Sequence, residues 1–145
     1  MKHNFLYKHS IISAIFLFAV LMSGCTKSTE GVDMVLAKQM LENKIWYLDY
    51  TVTGTTTRTY VGQSTYFINF LKDNSSTDSD GYKGTYAIEK SGDLILIHVQ
   101  SSKANGLSID YKYTIESVGD NNLILSYMLT GQTQRTKMYF SNARQ

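Results

Sequence analysis

Between residues 107 and 116, Leu107, Ile109, Tyr111, Tyr113 and Ile115 alternate strictly with Ser108, Asp110, Lys112, Thr114 and Glu116. A side-chain period of two belongs to an extended strand with one apolar and one wet face, because apolar residues on a helix would recur every three to four places. The alternation returns in Leu123, Leu125, Tyr127 and Leu129, in Trp46, Leu48, Tyr50 and Val52, and in Tyr66, Ile68 and Phe70. Beyond residue 45 the chain is rich in Thr, Tyr, Ile, Leu and Val, lacks proline, and is broken every eight to fifteen residues by Gly, Asn, Asp or Ser. This predicts eight strands, at about 45–53, 56–62, 65–72, 82–89, 94–100, 107–118, 122–130 and 133–141. Lys90-Ser91-Gly92-Asp93, Val118-Gly119-Asp120-Asn121-Asn122 and Thr130-Gly131-Gln132 supply turn chemistry between them.

Eight sequential antiparallel strands, each with one apolar face, hide that face best by closing on themselves, which also removes exposed sheet edges. A two-sheet sandwich would use longer crossing connections than these hairpins. The expected fold is therefore all-β, an eight-stranded antiparallel up-and-down barrel preceded by one short N-terminal helix. That helix should start at Asp33 as N-cap and run to about Lys44, with Leu36, Met40 and Leu41 as its apolar positions. A membrane-spanning barrel is disfavoured, since Asp110, Lys112 and Glu116 would have to face lipid.

The N-terminus has a different character. Lys2 and Lys8 precede Ile11 to Met22, twelve residues without a charge, and Val20-Leu21-Met22-Ser23-Gly24 lead to Cys25, the single cysteine. A spanning helix needs ~20 apolar residues, so this segment reads as a processed secretory signal, residues 1–24. It resembles a lipobox, with Met22 in the position usually held by leucine. That resemblance implies cleavage before Cys25 and lipid attachment at its thiol, with 25–32 as a polar tether and 33–145 as the barrel domain. Thr26 is not the aspartate that retains proteobacterial lipoproteins at the inner membrane. The resemblance therefore implies anchoring in the outer membrane, with the periplasmic face favoured over the cell surface.

The full chain has 14 Lys+Arg and 12 Asp+Glu, and losing Lys2 and Lys8 with the signal leaves the two signs balanced at twelve each. A mature domain without excess positive charge offers no electrostatic footprint for nucleic acid. His98 is its one histidine, in Leu94-Ile95-Leu96-Ile97-His98-Val99, and is expected to be a satisfied core or edge residue. No nucleophile and base are spaced to suggest catalysis, so the chain is expected to be no enzyme and to need no cofactor. In Asp73 to Gly81, Asp78, Asp80 and Gly81 fit three places of a calcium loop, but Ser76 would be its first ligand and Ala87 would replace its glutamate. The segment is expected to be a solvated hairpin tip, with no metal.

Four motifs carry a wider resemblance. They are Leu41-Glu42-Asn43-Lys44-Ile45-Trp46-Tyr47-Leu48, Phe67-Ile68-Asn69-Phe70-Leu71-Lys72-Asp73-Asn74-Ser75-Ser76, Gly84-Thr85-Tyr86-Ala87-Ile88, and Tyr113-Thr114-Ile115 with Asn122-Leu123-Ile124-Leu125. Over residues 38 to 141 the chain resembles the lipocalin-like domains of small Bacteroidetes-type lipoproteins. It departs from them at Asn74, usually glycine, and at Tyr86, usually tryptophan. The resemblance implies a noncatalytic barrel, with the helix at one end, that binds a small apolar molecule.

The candidate lining or core is the inward face: Trp46, Leu48, Tyr50, Tyr66, Ile68, Phe70, Tyr86, Ile88, Tyr111, Tyr113, Ile115, Leu125 and Tyr127. Two readings stay open. An eight-stranded barrel can be filled by its own side chains or hold one small ligand, and the number of tyrosines favours a pocket that gives each hydroxyl a partner. A filled barrel would instead be a structural or protein-interaction module of the envelope, docking through the outer Thr51 to Thr59 run. Partners are thus the membrane through the anchor, and either a small apolar or amphipathic ligand or an envelope protein. An internal void of several hundred Å³ would decide between the two.

Overall fold

The structure is a computed structural model that describes residues 33–61 and 66–143. The signal, Cys25 and the tether lie outside the described residues. Gly31–Gln145 form one compact unit that contains every strand of the barrel.

Helix α1 (Met34–Leu41) starts where the sequence indicated, with the Val35 N–H donating to Asp33 Oδ1 at 2.9 Å. Its buried stripe is Ala37 and Leu41, one turn apart, while Leu36 is exposed. The helix ends at Glu42, and Asn43 turns the chain with a φ of +57°, a left-handed conformation that asparagine tolerates better than most residues.

Strand β1 (Lys44–Thr53) pairs along one edge with β9 (Thr136–Ser141). Its other edge takes two collinear pieces, β2 (Thr56–Thr59) against its second half and β3 (Phe67–Phe70) against its first. From β3 the antiparallel order continues through β4 (Ser75–Asp78), β5 (Lys83–Ser91), β6 (Leu94–Ser102), β7 (Ser108–Val118) and β8 (Asn122–Tyr127) to β9. The ring closes at β9 and β1. With β2 and β3 as two pieces of one interrupted stave, it is a closed eight-stranded antiparallel barrel.

The staves are not all the ones expected. The segments 56–62 and 65–72, read as two barrel strands, form one stave, because Tyr60 to Tyr66 intervene while β1 advances only from Tyr47 to Tyr50. The eighth stave is β4, within the segment read as a hairpin tip. Its inward residues are Ser76 and Asp78, both polar, so it gives no hydrophobic alternation. Ser76 stands opposite Gly84, and Gly84 opposite Ser101. A Cβ on Gly84 would come within 2.0 Å of the Gln100 carbonyl oxygen, and its absence lets the Ser76 and Ser101 hydroxyls meet at 3.3 Å.

The interior near α1 is solid. Trp46, Phe70, Leu41, Ile97 and Leu123 are wholly buried there, and the Trp46 indole N–H donates to the Leu41 carbonyl at 3.0 Å. Tyr86 packs edge-on against Phe70, 5.0 Å between ring centres. Its hydroxyl lies 3.1 Å from Glu42 Oε1 and 3.0 Å from the Leu71 carbonyl, so a phenol at the core edge keeps hydrogen-bond partners.

Candidate functional site

At the end of the barrel away from α1 the side chains stop short of filling the interior and leave an open cup of about 470 Å³. Strand β1 contributes Leu48 and Thr51, β7 contributes Ile109, Tyr111 and Tyr113, β8 ends on Tyr127, and β9 adds Met138. Tyr60 and Tyr66 flank the break between β2 and β3, Asp78 ends β4, Asp80 and Tyr82 belong to the next turn, and Leu129 follows β8. Six of these thirteen lining residues are tyrosines, so the wall is aromatic with hydroxyl tips rather than aliphatic.

The strand pattern sets this arrangement. Period-two alternation puts Ile109, Tyr111 and Tyr113 on the inner face of β7, and Tyr113 meets Tyr111 and Tyr127 edge-on at 5.9 and 5.8 Å. At the floor, Asp78 Oδ1 accepts from the Tyr82 N–H at 2.9 Å and Oδ2 from the Tyr66 hydroxyl at 3.3 Å. Beneath it a second void of about 10 Å³, large enough for one water molecule, reaches Ser76 and Ser101. Burial, and then the nearby Asp78 carboxylate, push the Tyr66 phenol far above its ordinary pKa. Burial also raises Tyr113, reinforced by Tyr111 and Tyr127. Both phenols stay neutral donors at physiological pH.

Of the thirteen residues expected on the inward face, Leu48, Tyr66, Tyr111, Tyr113 and Tyr127 line the cup. Trp46, Phe70, Tyr86, Ile115 and Leu125 are buried in the solid half, and Ile88 packs against it part-buried. Ile68 is buried at the boundary, against the small void. Tyr50 is a correction. Against β9, Leu48 pairs with Phe140 and Tyr50 with Tyr139, so Asp49 is an extra residue. This β-bulge reverses the facing of everything after it. Thr51 therefore points into the cup, while Tyr50 stacks on Tyr139 at 4.3 Å on the outer face.

Sequence reasoning missed Tyr60, Tyr82, Thr51, Asp78, Asp80, Ile109, Leu129 and Met138. Ile109 and Leu129 already stood on recognised alternating faces, and that signal could have placed them. Asp78 and Asp80 stand out in the sequence only as places of an incomplete calcium loop, because nothing in β4 marks it as a barrel stave.

His98 is satisfied, as expected, but it is neither a core nor an edge residue. It points outward, because Ile95, Ile97, Val99 and Ser101 take the inner positions of β6. Its Nε2 lies 2.6 Å from Asp110 Oδ1 and its Nδ1 3.4 Å from Glu89 Oε1, and Lys112 Nζ donates to Glu89 Oε2 at 3.0 Å. Gln100 and His98 hold the Asp110 carboxyl below the usual range, and Lys112 does the same for Glu89. Among the described residues no group of three or more His, Cys, Asp or Glu side chains is placed to hold a metal ion. Strand β2, the core of the threonine run, is exposed throughout.

No family model matches this sequence, no curated protein matches it, and no solved structure matches it.

Proposed function

We propose that this chain is a lipid-anchored envelope protein whose barrel binds a small apolar or amphipathic molecule in the cup and catalyses no reaction on it. The observation that carries the reading is the cup: about 470 Å³ falls within the range of ordinary small-molecule sites, and it adjoins a rigid, solid half that fixes its walls. A filled barrel serving only as an interaction module would have no use for such a space. The wall suits an amphipathic guest, since tyrosine rings bury apolar surface while their hydroxyls keep a polar atom from being stranded. The anchor of this proposal is Cys25, in the outer membrane with the domain on the periplasmic side. Two or three acyl chains at ~0.8 kcal/mol per buried methylene would hold it there. Fatty-acid labelling that persists in Cys25→Ala would overturn that part.

Native mass spectrometry of residues 26–145, exposed to a lipid and metabolite extract of the parent cell, tests the binding. A discrete added mass is expected, and it should be lost when Tyr113→Trp crowds the cup. A bare mass in gentle conditions with every extract fraction would overturn it and move the search to protein partners on the outer face.

A further inference from the structure

We propose that the cup selects an organic cation with an apolar body, an alkylated ammonium ion above all, seated against Asp78 and the tyrosine faces; this rests on reading the cup as a ligand site. Two independent features of the lining point the same way. The first is the aromatic wall. A ring face carries negative quadrupolar potential, and several rings around one space form a cage for a cation too large and too weakly hydrated to prefer water. The rings at this mouth already take cations from outside the lining, with Lys103 Nζ 4.4 Å from the Tyr82 ring centre and the Arg58 guanidinium 5.2 Å from that of Tyr60.

The second feature is charge. Among the described residues the lining holds Asp78 and Asp80 but no Lys, Arg or His. Elsewhere on the barrel Glu42, Glu89, Glu116 and Asp120 each have a lysine or arginine within ion-pair distance. Among the described residues no such partner stands beside Asp78 or Asp80. Asp78 is half-buried at the floor, so its charge acts across the cup with little screening. A fatty acid or other anion would bring like charge to that floor with no basic residue in the lining to answer it, since Lys103 and Arg58 lie outside the lining over the Tyr82 and Tyr60 rings, whereas an ammonium ion would give Asp78 a cationic partner. The Asp78 carboxylate is held in place by the Tyr82 N–H and the Tyr66 hydroxyl, so it is oriented before any ligand arrives.

The test uses three probes of nearly one shape: benzyltrimethylammonium, its uncharged carbon isostere neopentylbenzene, and phenylmethanesulfonate. Binding to the Gly31–Gln145 unit is followed by the shifts of tyrosine ring NMR signals, with circular dichroism as the check on folding. The cation should bind about tenfold more tightly than the isostere, and the sulfonate more weakly than either. Asp78→Asn keeps the acceptor for the Tyr82 N–H and should remove most of that preference, and Asp80→Asn less of it. Equal binding of cation and isostere, or tighter binding of the sulfonate, would overturn the cation inference while leaving a ligand-binding cup. Failure of all three probes would overturn it too, and the cell-extract experiment would then judge the cup on its own. Phosphatidylcholine vesicles, run beside phosphatidylglycerol vesicles, separate the two sources of such an ammonium. Retention on the former assigns it to a lipid headgroup, and its absence beside free-probe binding assigns it to a free small molecule.

Discussion

On the inner face of β1, Trp46 is wholly enclosed, whereas Thr51, five residues on, looks into an open cavity. The same staves by the same alternation thus give a solid half and a hollow half. What differs is the cap and the polarity of the inward residues. At the solid end Ala37 and Leu41 of α1 join Trp46, Phe70 and Ile97 in one buried cluster, and nearly every inward group is hydrocarbon. Its two polar tips, the Trp46 indole and the Tyr86 hydroxyl, are met by the backbone and Glu42 where the helix gives way to β1. At the hollow end the inward groups are phenols that extend toward an open space. Alternation makes a barrel, and the end cap decides whether its interior becomes core or site.

Truncation should separate the halves most sharply. Trp46→Ala removes a fully buried indole from closed packing and strands the Leu41 carbonyl, and is expected to cost about 3–5 kcal/mol, enough to threaten folding at ordinary temperature. Tyr113→Ala enlarges a space that already exists, and should cost about 1 kcal/mol or less while altering ligand capture. Urea midpoints read by circular dichroism make the comparison. Equal losses would mean that the cup is packed as tightly as the core, and the distinction between the halves would fall.

Much of this division could be read from residue order, and the failures have physical causes. Strand β7 announces itself because large apolar and polar residues alternate without interruption up to Glu116, and β8 because Leu123, Leu125 and Tyr127 recur at every second place, and closure follows from having no longer connection to spend on a second sheet. Strand β4 is silent because its inward residues are Ser76, facing the gap at Gly84, and Asp78, and nothing large and apolar is buried there to make a pattern. The count of eight survived because one interrupted stave had been taken for two. The bulge at Asp49 carries no glycine or proline to mark it, so Tyr50 and Thr51 exchanged faces unseen. Tyr60 and Tyr82 lie outside the strands, where periodicity has nothing to say. The solid half follows mostly from pattern, with one bulge between Ile115 and Ser117 that brings Val118 to the core, while the cup is set by its breaks: the bulge at Asp49, the split stave and the polar strand β4.

Alkaline titration sharpens the same contrast by a smaller effect, because tyrosines on both sides of the divide are held neutral first by burial and then by different neighbours. Tyr86 is raised by burial and by its bond to Glu42, Tyr66 by burial and the Asp78 charge, and Tyr113 by burial beside two further phenols. Each has a folded pKa above the ordinary value of 10.0, so the stability linked to it is complete below pH 10 and is lost as pH rises past that value, where only the unfolded chain ionises. Phenolate absorbance should therefore show these three tyrosines still protonated after exposed ones have titrated, then released together as the barrel unfolds. Tyr113→Phe or Tyr66→Phe should move that unfolding to higher pH by removing one such group. A cation in the cup should favour phenolate at Tyr66 and Tyr113 but leave Tyr86, at the opposite end of the barrel beside α1, unchanged. Ionisation of the two cup phenols near pH 10 with the fold intact would mean that water reaches the floor at Asp78, and the argument from a weakly screened carboxylate would fail with it.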